Sequence, residues 1–304
     1  MIMNYDKMMD CFATLNEKVE YAIVNTDLKA FFEKLDEIKG PTLVCGVGGS
    51  SVVASFLAKV LREKKHEIAT FTFPRDLKHM DLSGYENIIS VSYSGSNIGA
   101  KVMFDTDLKK YLLTGNPQED CENIVYTMKK ELSYVSISAT IVPLTLLLLY
   151  YQNDIGIVRE ILEEEIHTDS DNSFYEVMSG YETSTAGIML ESSITESGMA
   201  ACVVHDKYNY CHGRINLSRH SNADLIFLRT GNELDDLLID HLPSHFKKII
   251  TIPRKYEDDV INDYYMTLMS LKLIRDIALN KGKDISDMNE LGDNDVFYLF
   301  NGEM

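Results

Sequence analysis

Two serine-rich loops carry the side chains in this sequence that are best suited to holding an anion. Residues 46–51 (Gly-Val-Gly-Gly-Ser-Ser) follow the apolar run 42–45, and residues 92–97 (Ser-Tyr-Ser-Gly-Ser-Asn) follow the apolar run 88–91. Each loop passes directly into a helical pattern, where unpaired N–H groups and the helix dipole favour negative charge. Glycine lets the backbone approach an anion closely, and serine hydroxyls add neutral donors. The two loops together predict a phosphate site.

Either loop alone is a weak signal. A generic strand-to-helix turn also explains Gly-x-Gly-Gly, and serine is an ordinary helix cap. The first loop is not the Gly-x-Gly-x-x-Gly of dinucleotide folds, and it lacks the Gly-Lys-Ser/Thr of a P-loop. The distinguishing feature is therefore that two such loops occur in successive strand–helix units.

A carboxylate and an imidazole in the second half of the chain suit proton transfer. Glu196 lies late on a predicted helix, and His212 lies 16 residues later (212 − 196), in the loop after the next predicted strand. The carboxylate would move a proton from C2 to C1 of a sugar, while the imidazole would open the ring. Glu191 is a rival base, but it points about 140° away around the same helix. A solvated Glu and a turn His are the simpler alternatives.

Composition excludes several classes of protein. The chain has 304 residues, which suits two domains, and its formal charge of −18 (29 − 47) disfavours nucleic-acid binding. It has no apolar run of 18 residues, so we expect no membrane span. Five cysteines without metal spacing indicate a reducing cytoplasm, and the first six residues lack a secretory n-region. We expect neither a metal nor a cofactor.

The periodicity of apolar residues predicts an α/β protein. Two helices fill residues 3–39, and strands then alternate with helices as far as a helix at 135–152. An acidic linker at 163–172 precedes a second, shorter strand–helix series. Such alternation implies doubly wound parallel sheets. The predicted divisions are an N-terminal helical arm at 1–40, a first domain at 41–165 and a second domain at 170–304.

Residues 44–50 and 90–95 resemble the signature loops of the sugar isomerase (SIS) domain family. Gly-x-Gly-Gly-Ser and Ser-Tyr-Ser-Gly are similar to the loops of its phosphoglucose/phosphomannose isomerases. The resemblance implies two SIS-type, flavodoxin-like domains, with a phosphosugar bound by the first. The implied phosphate ligands are Gly49, Ser50, Ser92, Ser94 and Asn97 (usually Thr in the family), and Ser136 would line the sugar site.

The resemblance extends to the catalytic pair. Amidotransferase isomerase domains, phosphoglucose/phosphomannose isomerases and fructosamine-phosphate deglycases place a Glu and a His at this separation. It implies that Glu196 is the base and His212 the ring-opening residue, with the His often supplied by the partner subunit of a homodimer. Asp293 stands about where the amidotransferases carry a lysine, which favours an isomerase or deglycase.

We therefore expect an enzyme that transfers a proton at C1/C2 of a sugar phosphate or sugar-amine phosphate. A non-catalytic phosphosugar sensor is the alternative. A nucleotide-binding Rossmann protein is a third possibility, which cofactor-dependent absorbance changes would support.

Overall fold

The structure is a computed structural model that describes residues 5–129 and 133–287. Among these residues the chain divides into two compact units. The N-terminal unit comprises Met9–Val158 and residue 287, and the C-terminal unit comprises residues 5–8 and Arg159–Ser286. The predicted helical arm and domain boundaries stay predictions.

Three helices precede the first strand, where the sequence predicted two. They are α1 (Asp6–Ala13), α2 (Leu15–Asn25) and α3 (Leu28–Glu37). The break between α1 and α2 falls at Thr14, whose hydroxyl donates to the Asp10 carbonyl one turn earlier at 2.6 Å. Such a bond from a side chain to the backbone bends a helix.

The N-terminal unit contains a five-stranded parallel sheet in the order β2-β1-β3-β4-β5. Its strands are β1 (Thr42–Cys45), β2 (Ala69–Thr72), β3 (Asn87–Val91), β4 (Lys109–Thr114) and β5 (Glu122–Val125). Its helices are α4 (Gly49–Lys65), α5 (Pro74–Leu77), α6 (Ile98–Phe104), α7 (Ser138–Gln152) and α8 (Ile155–Glu163), the last of which runs across the division between the units. Because β1 and β3 are neighbours, with Cys45 opposite Ser90, the two serine loops meet at one edge of the sheet.

The C-terminal unit contains a four-stranded parallel sheet in the order β7-β6-β8-β9. Its strands are β6 (Phe174–Ser179), β7 (Ala201–Asp206), β8 (Asp224–Leu228) and β9 (Lys248–Ile252). Its helices are α9 (Ser184–Glu196), α10 (Lys207–Asn209), α11 (Ile215–Ser221), α12 (Glu233–His241) and α13 (Asp259–Asn280). This order repeats β2-β1-β3-β4 of the first sheet, so two parallel α/β sheets are confirmed.

Each unit buries one helix almost completely. The apolar helix α7 packs on α4, and α13 packs on α9 in the same relation. The start of each buried helix therefore lies near the start of the helix that follows the first strand of its sheet. No helix in the described parts of the chain has the length and apolar character needed to cross a bilayer.

Candidate functional site

Hydroxyl groups line the N-terminus of α4, where the Ser50 N–H donates to the Val47 carbonyl at 3.1 Å and the Ser51 N–H to the Gly48 carbonyl at 2.9 Å. Gly48 adopts φ 54° and ψ −135°, a conformation that favours glycine. A Cβ on Gly49 would lie 2.8 Å from Thr140 Oγ1 and 2.9 Å from Ser136 Cβ. Only glycine therefore fits at position 49, and the structure brings Gly49 and Ser136 together. Ser50, in the first turn of α4, is half-buried.

The second serine loop leaves β3 beside the first. Ser92 is buried, with 1% of its surface exposed, and its N–H donates to the Leu113 carbonyl at 3.1 Å. Ser94 is exposed, and its hydroxyl lies 3.0 Å from that of Ser96. The Asn116 side-chain amide donates to the Ser94 carbonyl at 3.1 Å. The loop after β4 thus braces this loop while leaving the Ser94 hydroxyl accessible to solvent.

Asn97 serves its own helix. Its Oδ1 accepts the Ala100 N–H at 3.0 Å, which caps α6, and its Nδ2 donates to the Val91 carbonyl at 3.3 Å. An N-cap Asn is the ordinary way to satisfy these orphan donors. The cap explains an Asn at this position without any ligand, and its predicted contact with phosphate stays a prediction.

The equivalent positions of the C-terminal unit are filled by the chain's own carboxylates. At the start of α9, Asp263 of α13 accepts the N–H of Thr185 at 3.3 Å and that of Ala186 at 3.2 Å. Asp235 of α12 accepts two N–H groups of the loop after β8, that of Thr230 at 2.5 Å and that of Gly231 at 2.9 Å. Asp263 faces the start of α9 as Thr140 and Ser136 face the start of α4. The N-cap of α12 is Asn232, as Asn97 is of α6, and Asp235 lies three residues after that cap.

A buried lysine neutralises one of these carboxylates. Lys207 Nζ bonds to Asp235 Oδ1 and lies 3.1 Å from Thr230 Oγ1. Burial lowers the pKa of Lys207, and the bond to Asp235 opposes that shift. An external anion would have to displace Asp235 from its lysine and its backbone donors. The C-terminal unit is therefore closed to phosphate at the two positions that are hydroxyl-lined in the N-terminal unit.

An apolar cavity lies at the same edge of the N-terminal sheet as the serine loops. Its volume is about 240 Å³, and it is lined by Val47, Phe73, Pro74, Arg75 and Ile98. The Arg75 guanidinium lies 5.6 Å from the centre of the Phe73 ring. Val47 belongs to the first loop and Ile98 begins α6, so the cavity adjoins both loops.

Glu196 has the protonation behaviour of a general acid or base. It is the last residue of α9 and is half-buried. Burial raises its pKa to about 7. Within the described residues its carboxylate has no hydrogen-bond or ion-pair partner. An unpaired carboxyl that titrates near neutrality is typical of a catalytic position.

His212 and Glu196 lie at opposite ends of the strands of the C-terminal sheet, His212 at the carboxyl ends and Glu196 at the amino ends. His212 is exposed in the π-helical turn Tyr210–Arg214, beyond the end of β7, and Gly213 beside it has φ 118°. Glu196 ends α9 just before β7 begins, so the six residues of β7, about 20 Å of strand, separate the two positions. The predicted pair is therefore not assembled within one chain.

The rival carboxylate, Glu191, is exposed on α9. Burial, with a smaller contribution from the charge of Glu191, raises the pKa of the Cys202 thiol to about 12. The Glu191 carboxylate thus lies close enough to Cys202 on β7 to affect the pKa of its thiol. Asp293 lies outside the described residues. Among residues 5–129 and 133–287, no group of three His, Cys, Asp or Glu side chains forms a metal site.

The fold is that of several phosphosugar proteins. No family model matches the chain, and no curated protein matches it in sequence. A candidate phosphosugar isomerase from Clostridium difficile 630 matches with a TM-score of 0.70 and 15% identity, covering 98% of this chain and 99% of the other. Glucosamine-6-phosphate deaminase from Thermotoga maritima matches at 0.65 and 15%, covering 91% and 96%. The C-terminal domain of glucosamine-fructose-6-phosphate aminotransferase from Francisella tularensis matches at 0.65 and 12%, covering 93% and 98%. The chain shares their fold.

Proposed function

We propose that the protein binds a hexose or hexosamine phosphate and transfers a proton between C1 and C2 of the sugar. The observation that carries the proposal is the meeting of the two serine-rich loops, which lead into α4 and α6, at the carboxyl ends of neighbouring strands of the N-terminal sheet. A phosphate there would accept serine hydroxyls and lie at the positive end of the α4 dipole.

The phosphate ligands in this proposal are Gly49, Ser50, Ser92 and Ser94. None of them is charged. The chain has a net charge of −18, so its phosphate would be held by local dipoles and hydroxyl groups and not by an overall positive field. The closed positions at Asp263 and Asp235 support binding at the N-terminal unit alone. Ser136, which lies next to Gly49, is the proposed contact of the sugar adjacent to the phosphate.

Glu196 is the proposed base. Its carboxylate would take the proton from C2, leaving an enediol, and return the proton to C1 as the carbonyl moves from C1 to C2. With a pKa of about 7, both the accepting and the donating form are populated at neutral pH. His212 would open the sugar ring. Because the two residues lie at opposite edges of one sheet, Glu196 would act with the partner subunit's His212 in a homodimer.

The structural neighbours support a proposed class of substrate. Two of them concern glucosamine 6-phosphate or fructose 6-phosphate, which are hexoses with a phosphate at C6. We therefore propose hexose and hexosamine 6-phosphates as substrates, including sugar-amine phosphates that release ammonia or an amine on deamination or deglycation. Each of these reactions passes through the same proton transfer at C1/C2.

One observation favours the alternative, a phosphosugar sensor without catalysis. A monomer would hold phosphate at the serine loops but would keep Glu196 and His212 apart. The sensor and the enzyme therefore share a binding site and differ in turnover and in oligomeric state.

A screen of sugar phosphates followed by isotope exchange tests the proposal. Hexose and hexosamine 6-phosphates should raise the melting temperature, whereas the matching free sugars should not. In heavy water, a true substrate should gain deuterium at C1 or C2. Tight binding without exchange across the panel would favour the sensor, and the absence of any thermal shift would contradict both.

A further inference from the structure

A buried carboxylate, Glu176 of β6, lies at the centre of a hydrogen-bond network in the C-terminal unit. Its Oε2 accepts the Ser218 hydroxyl at 2.6 Å and lies 3.1 Å from His205 Nε2, while its Oε1 accepts the Ser221 hydroxyl at 2.9 Å. Glu176 is completely buried. Burial opposes its ionisation, yet these hydrogen bonds hold its pKa below the ordinary value, so the carboxylate stays charged.

The network continues to Tyr210. The Tyr210 hydroxyl donates to Ser218 Oγ at 2.8 Å, and its ring centre lies 5.3 Å from that of His205. Tyr210 and Ser218 are both buried. Tyr210 begins the turn that carries His212, and Ser218 lies on α11, which follows that turn. Tyr210 and Ser218, the two ends of the 210–218 segment, are therefore both linked to the Glu176 carboxylate, Tyr210 through the Ser218 hydroxyl.

The residues between these two anchors have little packing of their own. Positions 211–214 are all exposed, and a Cβ added at Gly213 would meet nothing within 4 Å. The backbone at Gly213 has φ 118°, a region that favours glycine. Such a segment keeps its conformation through its ends, because it lacks buried contacts of its own.

We propose that Glu176 is a positioning residue for His212, holding the 210–218 segment through Ser218, Ser221 and Tyr210. It does not contact the substrate; it limits the orientations in which the segment can present the imidazole. Hydrogen bonds to a buried charge fix the orientation of the groups that donate them, whereas apolar contacts do not. The proposal rests on the proposed role of His212, but the anchoring itself can be measured without any substrate.

The chain offers a matched control for the anchoring. Ser170 also joins a tyrosine hydroxyl to a buried carboxylate: it lies 2.8 Å from Tyr175 OH and donates to Asp224 Oδ2 at 2.5 Å. Ser170 and Ser218 are similarly buried, but the hydrogen bonds of Ser170 go to Thr168, Tyr175, Asp224 and Asn280, which lie outside the 210–218 segment. Ser170→Ala and Ser218→Ala should therefore cause comparable losses of overall stability, and only Ser218→Ala should loosen the segment.

Hydrogen exchange by mass spectrometry decides whether the anchor exists. In Ser218→Ala and in Glu176→Gln, amides 208–216 should exchange at least ten-fold faster than in the wild type, while they should be unchanged in Ser170→Ala. Ser221→Ala removes the bond to Oε1 and two longer bonds to the backbone of Ser218 and Ala223, but it leaves the Ser218 bond to Oε2 in place. It should give a smaller increase and preserve the fold if Glu176→Gln does not. Equal exchange of these amides in Ser218→Ala and Ser170→Ala would overturn the proposal.

Kinetics separates positioning from folding. With a sugar phosphate that the wild type converts, Ser218→Ala should lower kcat about ten-fold and leave KM within about three-fold, since the serine loops are untouched. Ser170→Ala should change neither constant. Faster exchange with an unchanged kcat would overturn the positioning role. Faster exchange in a protein without any turnover would leave the anchor in place and contradict the proposed function instead.

Discussion

Asp263 accepts the backbone N–H of Thr185 at the start of α9, at 3.3 Å. In the N-terminal unit, the corresponding start of α4 faces the hydroxyl of Thr140 and the side chain of Ser136. A carboxylate at a helix N-terminus satisfies the donors that an external anion would otherwise use. In α4 the corresponding N–H groups of Ser50 and Ser51 bond to neutral carbonyls of the preceding turn, so this helix start carries no carboxylate of its own. This difference supports the proposal that the N-terminal unit holds the phosphate.

Removal of the loop hydroxyls should weaken phosphosugar binding. Ser92→Ala and Ser94→Ala should each cost about 1–3 kcal/mol, because a charged acceptor loses a donor. Isothermal titration with a hexose 6-phosphate measures the loss. Ser83→Ala, an exposed serine before β3 at the other edge of the sheet, is the control. Unchanged affinity in the Ser92/Ser94 double mutant would place the phosphate elsewhere.

A methyl group at position 49 should block the site. In Gly49→Ala the new Cβ would lie 2.8 Å from Thr140 Oγ1, which forces α4 and the start of α7 apart at a cost of about 1–3 kcal/mol. Phosphosugar binding should fall at least about ten-fold, the equivalent of 1.4 kcal/mol. Gly84→Ala is the matched control, since a Cβ there meets nothing within 4 Å. Normal binding by Gly49→Ala would show that this helix start does not contact the ligand.

Glu196→Gln should separate binding from chemistry. Affinity for the phosphosugar should stay within about 1 kcal/mol, whereas turnover and deuterium exchange should fall roughly 10²- to 10⁴-fold, the share of a general base. Because Glu196 must be ionised to accept the C2 proton, wild-type kcat/KM should rise with pH through about 7. Glu191→Gln should retain exchange. The reverse pattern in the two variants would make Glu191 the base.

Mixed dimers should reveal whether two chains build one active site. Neither Glu196→Gln nor His212→Asn should turn over alone. If each site combines Glu196 of one chain with His212 of the other, equal mixing after subunit exchange restores about one quarter of wild-type activity in a two-fold dimer. Sedimentation velocity should show that dimer. A monomer at all concentrations, or mixtures that stay inactive after verified exchange, would contradict the shared site.

Two carboxylates should make opposite contributions to stability as the pH changes. Glu176 has a lowered pKa, so its contribution is complete above its ordinary pKa of 4.5 and is lost as pH falls through its lower folded value. Glu176→Gln should therefore be less stable than the wild type at pH 7, by about 2–4 kcal/mol, and the gap should narrow below pH 4.5.

Glu196 has a raised pKa, so the wild type should lose stability as pH rises from 4.5 to about 7. Glu196→Gln should remove that loss. Urea unfolding at pH 3.5, 5 and 7 measures both effects. A pH-independent difference between the wild type and Glu176→Gln would mean that Glu176 is not ionised in the folded protein.

The alternation of strands and helices was readable from the sequence because local apolar periodicity determines it. Both serine loops fall at strand ends for the same local reason. The closing role of Asp263 was not readable, since it caps a helix that begins 79 residues earlier in the chain. The Glu176 network likewise joins three elements that only tertiary packing brings together.

The separation of Glu196 from His212 could have been foreseen. In a strand–helix–strand unit the helix returns to the edge where the next strand begins, so its last residue lies far from the loop beyond that strand. The sequence interpretation allowed for a His212 from the partner subunit, but it did so from the family resemblance and not from the direction of the chain. The break at Thr14 was missed because a single back-bonded hydroxyl interrupts an otherwise continuous apolar pattern.

The two sheets have the same strand order, which is the pattern expected when an ancestral half is duplicated and fused. The two halves can nevertheless respond differently to the solution around them. The helix starts held by Asp263 and Asp235 carry their own negative charge, so added inorganic phosphate should leave the C-terminal unit unaffected.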